Sequence, residues 1–206
     1  MNEPLGFTIR ALDPSHRSRI AEILRSTANF RDEEVRVAVE LFDASFSADD
    51  YVFVGAFWGL GTRDWGLGRE PSSAEQESAP IEASRPSPQS PFPSPQLVGF
   101  ATYGPTMATD RTYDLYWIAV DRAAQGTGCG SLLLAEVERR LEALHARMLV
   151  IETSSRSDYT ATRSFYLRRG YVEAARVREF YAPQDDRIIL TKRLAGSPRQ
   201  GWGAVA

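Results

Sequence analysis

A chain of 206 residues with 43% hydrophobic content can bury one sizeable core, so a single domain over residues 1–206 is expected. Its 24 Lys and Arg against 27 Asp and Glu leave a net charge of −3, which offers no broad cationic field and excludes nucleic acid as the expected partner. Cys129 is the one cysteine, which excludes an internal disulfide and any zinc site built on several thiolates; no apolar run approaches bilayer length. The expectation is a cytoplasmic protein with no membrane segment and no metal.

In chain order, "FTIRAL" alternates Phe7, Ile9 and Ala11 on one face and predicts a strand. Asp13 before Pro14 reads as an N-cap and first helical position, with Ile20, Ile23 and Leu24 forming the apolar stripe of a helix. A second helix is predicted from Asp32, where Val35, Ala38, Val39 and Phe42 recur at helical spacing. Tyr51–Phe57 and Leu97–Tyr103 are rich in β-branched and aromatic residues and predict strands. Between them, residues 59–95 are rich in Pro, Ser, Glu and Ala, and are expected to form a disordered insertion that the fold tolerates.

"TYDLYWIAV" then predicts a strand, and "SLLLAEVERRLEALHAR" an amphipathic helix with Leu134, Val137, Leu141 and Leu144 on its apolar face. "MLVIET" is almost continuously apolar, which predicts a central strand covered on both faces. A short helix over Thr160–Arg169 should stop at Gly170 through a left-handed cap, and "YVEAARVREFY" with "RIILTKRL" should form a hairpin across Pro183 and Asp185. The tail, residues 195–206, is expected to fray.

The stretch "QGTGCGS" withholds side-chain bulk where a strand turns into a helix. A mononucleotide P-loop requires a lysine that is missing here, and a dinucleotide fingerprint requires a different glycine spacing. The pattern Q/R-x-x-G-x-G/A is met by Gln125, Gly128 and Gly130. Amides at a helix N-terminus favour an anion, and glycines let one approach.

These residues, with "LYWIAV" before them and "TATRSFYLRRGY" after them, resemble the GNAT superfamily of N-acetyltransferases. The resemblance implies an α/β (mixed α+β) fold: a mostly antiparallel sheet of about seven strands, flanked by four helices and splayed between the fourth and fifth strands. It implies acetyl-CoA as cosubstrate, with the pyrophosphate held by Gln125, Gly126, Thr127, Gly128, Cys129, Gly130 and Ser131. The pantetheine arm would lie along Ile118, Ala119 and Val120. An amine would attack the thioester directly in a ternary complex, with Tyr166 as acid and Asp114, Glu152 or a relay through a bound water as base. Tyr159 stands where the superfamily often has an asparagine.

The acceptor is expected between the two early helices and the late hairpin, with Phe30, Phe42, Tyr103, Tyr113, Tyr116, Phe180 and Tyr181 as candidate lining. The amine itself, and whether the chain is a monomer or a homodimer, stay open. The contrasting reading is a coenzyme A-binding sensor or interaction module without turnover.

Overall fold

The computed structural model describes residues 6–47, 50–59 and 95–194. Seven strands form one sheet: β1 (Phe7–Ala11), β2 (Val52–Trp58), β3 (Gln96–Pro105), β4 (Thr112–Val120), β5 (Met148–Ser154), β6 (Val172–Ala182) and β7 (Asp185–Arg193). Their order is β1-β2-β3-β4-β5-β7-β6. Every pairing is antiparallel except β4 with β5. Four helices accompany them: α1 (Arg17–Thr27), α2 (Asp32–Ala44), α3 (Cys129–Ala143) and α4 (Thr160–Leu167). Element order and fold class are those anticipated from the sequence.

Helices α1 and α2 cover one face of the sheet, burying Ile20, Ile23, Leu24, Val35, Ala38 and Phe42 against Phe53 and Phe100. On the other face, Leu133, Leu134, Val137 and Leu141 of α3, with Tyr166 of α4, pack on Val54, Val98, Leu149 and Ile151. β5 is interior to the sheet, as its apolar run implies, but it is not covered on both faces: Leu149, Ile151 and Thr153 are buried, whereas Met148, Val150 and Ser154 are half-buried and Glu152 is exposed at the parting from β4.

Three local features depart from the sequence reading. Asp13 caps a short 3-10 turn, Pro14–His16, that leads into α1, because its carboxylate accepts from the Ser15 amide at 2.9 Å. Helix α3 begins inside the glycine motif, two residues before the anticipated Ser131. Leu144 falls past the end of α3 and is exposed, since the Ala146 amide returns to the Leu141 carbonyl and reverses the chain there. Gly170 does take the left-handed conformation, with φ +84°.

Of the anticipated insertion, residues 60–94 lie outside the described residues, as does the tail over 195–206. Its two ends abut: a Cβ placed on Gly59 would stand 2.9 Å from the Cα of Pro95.

The β4–β5 pairing positions the site. It runs only from Thr112↔Met148 to Leu115↔Ile151. Beyond this point β4 continues on β3 and β5 continues on β7, so the two strands part. At the parting, Trp117 pairs with Thr102 and Leu115 with Tyr103, leaving Tyr116 as the extra residue of a β-bulge. A bulge bends its strand and re-aims a side chain.

Candidate active site

Three cavities of about 920, 180 and 220 Å³ follow one another through the opening between β4 and β5. The first two share Ile118, Val120, Gln125 and Tyr166, and the second and third share Tyr116, Trp117, Glu152 and Tyr159. The result is a continuous passage along the parting of the two strands.

The largest cavity lies over the glycine turn. Asp121, just after β4, turns the chain by accepting from the Ala123 amide at 2.9 Å. Gly126 and Gly128 then take φ +78° and +93°, the left-handed region that costs an L-residue about 1 kcal/mol or more. A Cβ on either would meet nothing within 4 Å, so the space before them is open to a ligand. The helical ladder of α3 starts with the Leu132 amide on the Gly128 carbonyl at 3.0 Å. The amides of Cys129, Gly130 and Ser131 precede it and stand outside that ladder.

Gln125 was expected to donate to an anion, yet here its amide nitrogen donates to the Val120 carbonyl at 3.1 Å, tying the turn to the end of β4. The Thr127 hydroxyl donates to the Ala124 carbonyl at 2.5 Å. Burial pushes the Cys129 thiol up to about 12, so it is no thiolate. The cavity is faced by three arginines, Arg122, Arg168 and Arg169, that form no ion pair among the described residues. Arg169 stacks 3.7 Å above the Phe165 ring and donates to the Phe165 carbonyl and the Ser131 hydroxyl. Burial, then Arg168, holds its guanidinium below the usual arginine range. Cations without counter-ions beside a helix N-terminus suit a polyanion such as a pyrophosphate. The sequence reading missed these arginines, although the "LRRG" that closes α4 contains two of them.

At the parting of the strands, Ile118, Ala119 and Val120 pair with β3 on one edge and turn the other toward the passage. Tyr166 is 3% exposed, lines the first two cavities, and its hydroxyl makes no hydrogen bond among the described residues. Burial raises its pKa, so the phenol keeps its proton. Glu152 faces the second and third cavities and is ion-paired to Arg187.

Asp114 is not among the residues of these cavities; its carboxylate accepts from the Thr106 hydroxyl at 2.7 Å. The Tyr159 hydroxyl donates to the Asn29 carbonyl at 2.9 Å, joining the start of α4 to the α1–α2 loop. Of the seven candidate lining aromatics, Phe30, Tyr116 and Tyr181 reach the passage. Phe42 and Tyr103 are core, Tyr113 packs against it, and Phe180 is exposed beneath Arg187.

Known proteins are similar in sequence or fold. The model of the acetyltransferase (GNAT) domain matches residues 94–173. A GNAT-family protein from Desulfovibrio desulfuricans is 33% identical over 92% of this chain and 100% of its own, with a TM-score of 0.70. The ribosomal-protein-S18-alanine N-acetyltransferase from Escherichia coli is 18% identical over 96% of this chain and 99% of its own, with a TM-score of 0.63. The yncA protein from Salmonella typhimurium, solved with its cofactor acetyl-CoA, is 15% identical over 97% and 99%, with a TM-score of 0.62. No curated protein matches the chain. With a relative of this identity spanning nearly the whole sequence, and with the strand parting and glycine turn in place, the chain belongs to the GNAT family of acetyltransferases.

Proposed function

We propose that the protein is an N-acetyltransferase that passes an acetyl group from acetyl-CoA to a primary amine of a small molecule or peptide by direct attack in a ternary complex. The observation that carries this reading is the passage along the strand parting, which has an open glycine turn flanked by arginines at one end and a carboxylate- and aromatic-lined pocket at the other. Relatives of the same fold support it: one is named for acetylating an alanine amine and another is solved with acetyl-CoA.

The residues fit the cosubstrate. The amides of Gly128 to Ser131, with Arg122, Arg168 and Arg169, would hold its phosphates, and the free edge of Ile118–Val120 its pantetheine arm. When bound, acetyl-CoA supplies a thioester whose acetyl carbon forms a C–N bond as its C–S bond breaks. A main-chain amide of β4 at the parting would stabilise charge on the carbonyl oxygen. Glu152 would take the proton released by the nitrogen, and Tyr166 would give its proton to the departing sulfur.

Calorimetry with acetyl-CoA, followed by a thiol-release assay over a panel of amines with Tyr166→Phe as control, tests the proposal. Binding is expected, with thiol release for at least one amine class. Binding without release across the whole panel would instead indicate a coenzyme A-binding module.

A further inference from the structure

Tyr166, the acid of the proposed reaction, is held by its body and not by its hydroxyl. The residue lines the first two cavities, and its hydroxyl makes no hydrogen bond among the described residues. Whatever fixes the ring therefore acts on its flanks. Two rings meet it edge to face: Phe165, its neighbour in the chain, with centroids 5.1 Å apart, and Tyr171 at 5.6 Å.

The turn that ends α4 brings Tyr171 back onto Tyr166. Around Gly170, at its left-handed φ of +84°, the Tyr166 carbonyl accepts from the Arg169 amide at 2.8 Å and from the Tyr171 amide at 3.3 Å. Tyr171 is buried and, unlike Tyr166, is anchored at its hydroxyl, which donates to Glu138 Oε1 of α3 at 2.8 Å. The second oxygen of that carboxylate accepts from Lys192 Nζ of β7 at 2.7 Å, and the same ammonium lies 5.4 Å from the centre of the Tyr171 ring. Groups from three elements thus close on one another.

None of Tyr171, Glu138 and Lys192 lines the passage, so any influence they have on the reaction runs through Tyr166. Both hydrogen bonds end on an ionised carboxylate, the stronger kind, and a satisfied network of this sort is rigid. An acid that must meet a departing sulfur depends on such rigidity, because a misplacement of about 1 Å can cost about a hundredfold in rate.

Resting on the transferase reading above, with Tyr166 as its acid, we infer that Tyr171 is a positioning residue: braced by Glu138 and Lys192, it holds the Tyr166 ring at the angle from which the phenol meets the leaving sulfur.

The test is a double-mutant cycle, read as thiol release from acetyl-CoA with the fastest amine of the panel. Tyr171→Phe keeps the ring and removes its anchor. It should lower kcat about tenfold with the KM for acetyl-CoA within about twofold, and in a Tyr166→Phe background the same change should cost less than about twofold. Lys192→Met should lower kcat about fivefold, and Lys192→Arg, which restores a charged donor, should return it to within about twofold of the unmodified protein. Thermal melts report whether each variant folds; if Tyr171→Phe does not, the two Lys192 variants decide. Equal losses from Tyr171→Phe in both backgrounds, or a loss confined to KM, assign Tyr171 to stability alone and overturn the inference while leaving Tyr166 as the acid. Full activity of Tyr166→Phe overturns the acid role and the inference together, and absence of thiol release with every amine overturns the transferase reading as well.

Discussion

Arg19 of α1 reaches Asp121, 102 residues later, with its Nη2 2.5 Å from Asp121 Oδ2, while its Nε donates to the Leu97 carbonyl at 2.9 Å. Asp121 is 9% exposed and shapes the start of the glycine turn through the Ala123 amide. One guanidinium thus fixes the entry to the glycine turn against the first residues of β3. Arg19→Ala strands a buried carboxylate and should cost about 2–3 kcal/mol in a urea melt. Acetyl-CoA affinity should fall with it, and Arg19→Lys, which keeps charge but loses the forked geometry, should recover only part of both.

Tyr166→Phe removes the proposed acid without changing packing. A fall of about a hundredfold in kcat with the KM for acetyl-CoA within about twofold is expected in steady-state assays. Because burial raises the phenol's pKa, its acid form persists through the alkaline range. The rate should therefore climb with pH as the amine loses its proton and show no descending limb below about pH 10. A descending limb well below that would remove Tyr166 from the role.

Much of this architecture is legible in the sequence, and the limit falls at identifiable places. Helical periodicity marks Val35, Ala38, Val39 and Phe42 because all four face one core. Gln125, Gly128 and Gly130 are visible because they lie within six residues of chain. The Arg19–Asp121 clamp, the bulge at Tyr116 and the Asp185–Ser154 contact are not, since each depends on which elements become neighbours and in what register. Aromatics were the weakest guide: Phe42 and Tyr103 carry the same residue types as Phe30 and Tyr116, yet lie in the core and not in the passage.

Glu136 on α3 accepts from both Arg139, at 2.8 Å, and Arg140, at 2.7 Å. The Arg139 hydrogen bond and then that of Arg140 outweigh burial and hold its carboxyl down to about 2. A depressed folded-state pKa stabilises the protein above the ordinary glutamate range and loses that contribution as pH falls toward the folded value. Glu136→Gln should therefore cost about 1 kcal/mol at pH 7, a figure that allows for the solvent exposure of Arg139. In pH-dependent melts the gap should close between about pH 4.5 and 2.

Cys129 sits in the glycine turn, but its thiol is buried and pushed up to about 12. Iodoacetamide at pH 8 should label the native protein at least about a hundredfold more slowly than the unfolded chain, followed by mass spectrometry. The same measurement after incubation with acetyl-CoA should show no acetylated cysteine.

The short run of β4–β5 pairing, ended at Leu115↔Ile151, has a kinetic corollary. A passage with two ends gives each reactant its own doorway, so neither need leave before the other enters. Initial-rate plots against the two concentrations should then form intersecting lines. Coenzyme A should inhibit competitively against acetyl-CoA and not against the amine, because it returns through the doorway by which it came.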